Sequence, residues 1–128
     1  MANIQTVLLV DDAIAMRKIG AKSLEHHGIT VLTAADGYEA LTVLKKEKPD
    51  AIFIDVEMPN LDGLKLTAIL RESKLYSRAP IALLTSASTA FDRQKGLLAG
   101  ADFYLTKPFS AETISTALSS MQRLLEDC

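Results

Sequence analysis

The chain has 128 residues, 48% of them hydrophobic and 23% charged, a balance that supports one folded domain and excludes wholesale disorder. Fourteen basic against sixteen acidic side chains leave a net charge of −2, which argues against nucleic acid as an obligatory partner. The only cysteine, Cys128, excludes an internal disulfide and fits a reducing compartment. The apolar run at residues 7–10 stops at two aspartates, unlike a signal peptide, and no stretch approaches the ~18 apolar residues of a membrane span. The expectation is a cytoplasmic protein without membrane insertion.

Short apolar runs at residues 7–10, 29–33, 51–54, 81–84 and 103–105 predict strands. Their weak alternation is that of strands covered on both faces of a parallel sheet. A helical stretch comes after each run. In the first, Ile14, Ile19 and Leu24 fall near one face, and Gly28 stands where a C-terminal cap belongs. His26 and His27 lack the i, i+4 spacing of a helical metal pair and read as helix-end residues. In the second, Ala40, Leu41 and Leu44 form the stripe. Lys45, Lys46 and Lys48 then read as a solvated helix end that offsets the dipole. The third helix is predicted over about 64–72, entered through a turn at Asp62-Gly63. The fourth starts after Thr89, has Asp92 as a capping partner and ends near Gly100. The fifth runs from Ser110, a predicted N-cap, to about Glu126, with Ile114, Ala117, Leu118, Met121, Leu124 and Leu125 at helical spacing. Strands alternating with helices imply βαβ units with right-handed crossovers and helices on both faces, an α/β doubly wound fold in a single domain over 1–128.

The chemistry is legible in the residues at the end of each run. The first run ends in Asp11-Asp12, the third in Asp55, the fourth in Thr85-Ser86, and the fifth in Thr106-Lys107-Pro108. In a parallel sheet these ends share the carboxyl edge, where open α/β folds bind ligands. Three carboxylates repel one another. Two like charges ~4 Å apart cost roughly 4 kcal/mol at an effective dielectric of 20. Lys107 offsets part of this, and a hard divalent cation such as Mg²⁺ is the natural complement. A carboxylate beside Mg²⁺ and a lysine can attack phosphorus and form an aspartyl phosphate, with the Thr85 hydroxyl donating to an equatorial oxygen. Taken singly, Asp12 is as well explained as an N-cap of the first helix. The chain has no Gly-x-x-x-x-Gly-Lys loop, Gly-x-Ser-x-Gly elbow or Gly-x-Gly-x-x-Gly fingerprint, which weighs against nucleotide hydrolases, esterases and dinucleotide binding.

These residues resemble the receiver domain of two-component response regulators along essentially the whole chain. The motifs are Val10-Asp11-Asp12 with Arg17 downstream, Asp55 to Met58-Pro59 and Asp62-Gly63, Thr85-Ser86-Ala87, and Tyr104 to Lys107-Pro108-Phe109. The resemblance implies a flavodoxin-like (βα)5 fold with a five-stranded parallel sheet in the order 2-1-3-4-5. It implies Asp55 as phospho-acceptor. Asp12 would be the direct Mg²⁺ ligand, with Asp11 acting through water, Asp55 itself, and the backbone carbonyl of Glu57 completing the metal site. Lys107 would pair with the phosphoryl oxygens or with Asp55, across a cis bond to Pro108. Thr85 resembles the switch hydroxyl and Tyr104 the switch aromatic, which would turn inward on phosphorylation. Glu57 and Ala87 flank the route of attacking water, and the Glu57 carboxylate would favour metal occupancy. The implied partners are a sensor histidine kinase or histidine phosphotransfer domain, and a downstream protein docking on helix 4, strand 5 and helix 5.

No output domain is expected after residue 128, as in stand-alone receivers. Residues 91–110 are similar to receivers of type IV pilus chemosensory systems, which would place the chain in twitching motility, with flagellar chemotaxis or a phosphorelay as the alternative. An enzyme of the haloacid-dehalogenase type is a rival, since it also uses an aspartyl nucleophile with an acid two residues on, where Glu57 stands. A constitutive scaffold is a further rival. The reading adopted is a signalling switch without external turnover.

Overall fold

The structure, a computed structural model, describes residues 4–86, 90–107 and 110–126, without the side chains of residues 90, 91 and 111. Ala87, Thr89, Pro108 with its peptide bond, Phe109 and Cys128 lie outside the described residues. Five strands and five helices alternate: β1 (Thr6–Val10), α1 (Ile14–Glu25), β2 (Thr30–Ala34), α2 (Gly37–Lys46), β3 (Ala51–Asp55), α3 (Gly63–Glu72), β4 (Ile81–Thr85), α4 (Ala90–Ala99), β5 (Phe103–Thr106) and α5 (Ala111–Glu126). All pairings are parallel, in the order β2-β1-β3-β4-β5. The fold expected from the resemblance is the fold observed.

Every residue of β3 and β4 is buried, because both faces of the sheet are covered. Successive side chains point to opposite faces, so each strand feeds two cores. One holds Leu8, Val10, Ile52, Ile54, Ile81 and Leu83 with Leu44 of α2 and Leu66 and Leu70 of α3. The other holds Val7, Leu9, Phe53 and Leu84 with Leu24 of α1 and Ile114, Leu118 and Met121 of α5.

The helix ends are set by local side chains. The Asp36 side chain caps α2 by accepting from the Glu39 amide at 2.8 Å, and Asp62 caps α3 by accepting from the Lys65 amide at 2.9 Å. Ser110 caps α5 by accepting from the Thr113 amide at 3.1 Å, as expected. Lys45, Lys46 and Lys48 are exposed at the end of α2, and His26 and His27 close α1.

α1 departs from expectation. Ile14 and Ile19 are 63% and 53% exposed; of the expected stripe only Leu24 is buried, and Gly20 is buried with it. A stripe drawn from bulky apolar residues misses a buried glycine. Asp12 is also not the N-cap of α1. That position is Ala13, without a side-chain cap bond, and Asp12 remains exposed.

Gly63 positions the end of β3. Its amide donates to the Val56 carbonyl at 3.1 Å, and a Cβ there would collide with the backbone of Asp55 and Val56. The start of α3 therefore lies directly against the strand end that carries Asp55.

Candidate functional site

The carboxyl edge gathers the residues expected there. Asp11 comes just after β1, Asp55 ends β3, Thr85 ends β4 and Lys107 comes just after β5. Asp11 and Asp55 are each 1% exposed and Thr85 is fully buried, whereas Asp12 faces solvent. Oxygens of Asp11, Asp12 and Asp55 lie within 4.8 Å of one another. The Lys107 ammonium lies 3.1 Å from Asp55 Oδ1 and 3.5 Å from Asp11 Oδ2. The backbone amide of Lys107 donates to the Thr85 carbonyl at 2.7 Å, so the lysine is fixed at the sheet edge.

The two buried aspartates are held differently. Asp11 Oδ1 accepts from the Ala13 amide at 2.9 Å, and its backbone carbonyl accepts from Arg17 at 2.7 Å. Asp11 Oδ2 has no hydrogen-bond partner among the described residues. The Lys107 ammonium at 3.5 Å is an ion-pair partner for it, but a buried carboxylate oxygen without a hydrogen bond remains costly. With the neighbouring oxygens of Asp12 and Asp55 it makes an all-oxygen, acidic donor set, which fits a hard cation such as Mg²⁺. Asp55 Oδ1 takes both Lys107 and the Glu57 amide, the latter at 3.2 Å. Burial pushes the Asp55 carboxyl up to about 7, Asp11 adds to the rise, and Lys107 opposes it. Burial alone would lower Lys107, but its bond to Asp55 and the charges of Asp55 and Asp11 hold the ammonium above its usual value.

The Glu57 carboxylate does not join the three aspartates. It turns to the end of β4, where it accepts from the Thr85 hydroxyl at 2.7 Å and from the Ser86 amide and hydroxyl at 3.1 and 3.0 Å. Burial pushes Glu57 up, but these hydrogen bonds and Lys107 outweigh it and keep the carboxyl below its usual value. The expectation that this side chain would strengthen the metal site therefore meets a carboxylate engaged elsewhere. Sequence reasoning missed the contact, since nothing in the spacing of Glu57 and Thr85 announces it.

Tyr104 is 8% exposed, its hydroxyl bonded to Thr85 and its phenol pushed up mainly by burial. The Arg93 guanidinium stands 6.0 Å from the ring centroid, at the outer reach of a cation–π contact. The ring is thus turned inward in this structure, the direction in which the resemblance implies it turns on phosphorylation. Gly96 of α4 makes the room: a Cβ there would sit 2.8 Å from Tyr104 Cδ1 and 3.0 Å from Leu83 Cδ1. We expect Gly96→Ala to cost about 1–2 kcal/mol despite its better helix propensity, and to turn the ring outward. Thermal denaturation and the ¹⁹F resonance of fluorotyrosine at position 104 check this. An unshifted resonance in a variant as stable as wild type refutes it.

Two buried acids, a half-buried ammonium and a buried hydroxyl thus meet at the carboxyl edge of a 2-1-3-4-5 parallel sheet in a doubly wound fold. The family model described as the response regulator receiver domain matches residues 7–119, and the chain belongs to that family. It is 36% identical over 114 residues to protein PilG of Pseudomonas aeruginosa, covering 89% of this chain and 84% of that protein. Other curated relatives are longer, and the chain spans 45–51% of several transcriptional regulators it matches. Among solved structures it resembles the chemotaxis protein CheY4 of Vibrio cholerae, with a TM-score of 0.88 and 36% identity over 92% of this chain and 98% of that one. It also resembles the receiver domain of the sensor histidine kinase PA1611 of Pseudomonas aeruginosa, with a TM-score of 0.86 and 32% identity over 95% of this chain and 99% of that one. That structure has a magnesium ion coordinated in its active-site cleft. Among the described residues, no helix is long and apolar enough to cross a membrane.

Proposed function

We propose that this chain, read as one receiver over 1–128, is a phosphorylation-activated switch that accepts a phosphoryl group on Asp55 from a phosphohistidine donor. The observation that carries the reading is the convergence on Asp55, buried at the end of a central strand, of Lys107 at 3.1 Å and the two acids Asp11 and Asp12. An Asp55 carboxylate oxygen attacks phosphorus, the acyl–phosphate bond forms and the P–N bond breaks. The electron pair stays with the imidazole, which leaves as a neutral ring once protonated. Lys107 holds the Asp55 oxygen beforehand and moves with the charge onto the phosphoryl oxygens. Mg²⁺, held by Asp11, Asp12, Asp55 and the Glu57 carbonyl, would supply charge neutralisation at the phosphoryl oxygens. The donor is a sensor histidine kinase or histidine phosphotransfer domain, and the setting is cytoplasmic.

The output is docking of a downstream protein on α4, β5 and α5. In support, Tyr104 joins Thr85 at the site to Gly96 of α4, and Leu97 and Leu98 of α4 are 51% and 80% exposed. The likeness of residues 91–110 to receivers of type IV pilus chemosensory systems supports a role in twitching motility, and similarity to the chemotaxis protein CheY4 supports chemotaxis, with a phosphorelay, as the alternative. The haloacid-dehalogenase reading needs a free acid two residues after the nucleophile. Glu57, at that position, is engaged by Thr85 and Ser86. Intact-mass spectrometry after incubation with acetyl phosphate tests the proposal: a single Mg²⁺-dependent phosphoryl adduct is expected. Steady turnover of an external phosphoester would favour the enzyme.

The Asp55 carboxyl also sets a pH dependence. Mg²⁺ requires the ionised form, and burial holds that carboxyl near 7. Mg²⁺ affinity is expected to rise about tenfold from pH 6 to pH 8, with release of up to one proton per ion at the lower pH. Calorimetry in two buffers of different ionisation enthalpy counts the protons. Equal affinities at the two pH values would contradict the coupling.

A further inference from the structure

The Glu57 carboxylate collects three donors at the end of β4: the Thr85 hydroxyl, the Ser86 amide and the Ser86 hydroxyl, at 2.7, 3.1 and 3.0 Å. β4 is the neighbour of β3, and the Val56 amide next to Asp55 donates to the Leu84 carbonyl at 2.9 Å. These donors therefore border the oxygens a phosphoryl group would bring to Asp55, and an anion there needs such donors. A hydroxyl carries one proton, so Thr85 cannot give it to Glu57 and to a phosphoryl oxygen at once. The main-chain amide of Glu57 meanwhile donates to Asp55 Oδ1 at 3.2 Å. One residue thus anchors the acceptor through its backbone and holds the neighbouring donors through its side chain.

We propose that Glu57 is an internal competitor for the phosphoryl group: its carboxylate occupies the Thr85 and Ser86 donors in the unphosphorylated chain and must release them before they can bind the phosphoryl oxygens. The inference rests on Asp55 being the phospho-acceptor. Glu57 is accordingly a positioning residue that sets how readily phosphorylation engages Thr85. Through the Thr85–Tyr104 hydrogen bond, its hold extends to the ring seated against Gly96. The Tyr104 ring is inward in the same arrangement in which Thr85 donates to Glu57. The Glu57 carboxylate gives Thr85 the anionic partner that the phosphoryl group would otherwise provide.

The test is binding of the phosphoryl analogue beryllofluoride with Mg²⁺, titrated calorimetrically in a double-mutant cycle. Glu57→Gln is expected to tighten binding about tenfold, the scale of one charge-assisted hydrogen bond. Loss of a nearby negative charge would also help an anion bind, so the cycle includes Thr85→Val, which keeps the shape and removes the hydroxyl. In that background the gain from Glu57→Gln is expected to shrink to less than about threefold, because only the Ser86 donors remain to be released. Glu57→Ala, run beside Glu57→Gln, is expected to move in the same direction.

An equal gain in both backgrounds overturns the competitor, leaving plain charge repulsion. No gain from Glu57→Gln in the chain that keeps Thr85 overturns it as well. In either case, beryllofluoride binding and phosphorylation of Asp55 would still stand. Failure of the wild type and every variant to bind beryllofluoride or accept a phosphoryl group would instead overturn the acceptor reading, and this inference with it.

Discussion

Asp55→Asn is expected to abolish phosphoryl labelling and to make the chain more stable at pH 8 than the wild type. The first effect comes from removing the nucleophile, and intact-mass spectrometry with acetyl phosphate reads it. An undiminished adduct on the variant would move the acceptor elsewhere. The second comes from burial. Asp55 is 1% exposed at the end of β3, and its carboxyl is pushed from 3.8 up to about 7. A folded-state value above the unfolded one means that the native chain holds a proton the unfolded chain has released between those pH values. Stability from this group therefore falls as pH rises from about 4 to about 7, and does not return above it.

The loss at pH 8 has an upper bound of roughly 4 kcal/mol, and about 2–3 kcal/mol is expected once water at the cleft is allowed for. Asparagine is neutral at every pH, so the gain appears at pH 8 and nearly vanishes at pH 4. Denaturant unfolding at the two pH values, without divalent ions, measures it. A variant less stable than wild type at pH 8 would show that the bond from Lys107 outweighs the burial. Mg²⁺ is expected to narrow the difference at pH 8 by stabilising only the chain that keeps the acid.

Much of the site is legible in the sequence because a parallel sheet converts sequence into position. Once residues 7–10, 51–54, 81–84 and 103–105 are strands running the same way, Asp11, Asp55, Thr85 and Lys107 fall at one edge without further information. The observed strands differ from that reading by a residue or so at their ends, as at β2, which runs Thr30–Ala34. Contacts made by loops and long side chains are not legible. Glu57 reaches Thr85 only because the chain turns sharply after β3, where the Met58 amide donates to the Val56 carbonyl at 3.2 Å and Asn60 takes a φ of 69°. Arg71 is a second case. It donates to the Gly100 and Ala79 carbonyls at 2.7 and 2.6 Å and pairs with Asp102 at 2.8 Å, joining α3 to the segments before β4 and β5. Its partners lie up to 31 residues away, beyond any local pattern. The stripe on α1 holds only at Leu24: helical spacing finds apolar residues, but Ile14 and Ile19 are exposed and the other buried position is Gly20, which an apolar stripe cannot find.

Lys107→Ala is expected to show how much of the fold depends on the ammonium that pairs with Asp11 and Asp55. Its ammonium stands between two carboxylates that are each 1% exposed, and Asp11 Oδ2 has no hydrogen bond to take its place. Removing one partner from a buried ionic cluster leaves uncompensated charge, which costs about 3–5 kcal/mol. The backbone bond from residue 107 to Thr85 does not involve the side chain, so the sheet edge should persist. Without the lysine, the Asp55 carboxyl rises further, because an opposing influence on it is gone. The destabilisation should therefore be large at pH 8 and small at pH 5, where Asp55 is protonated and only one of the two acids needs a partner. Mg²⁺ should recover much of the loss at pH 8, since Asp11, Asp12 and Asp55 are all retained. Phosphoryl transfer to Asp55 should remain detectable but fail to shift the Tyr104 resonance, because no ammonium draws the phosphoryl oxygens toward β5. A variant equally stable at both pH values would mean that the two acids are kept apart by something other than Lys107. A full Tyr104 response would assign the coupling to Thr85 and Glu57 alone.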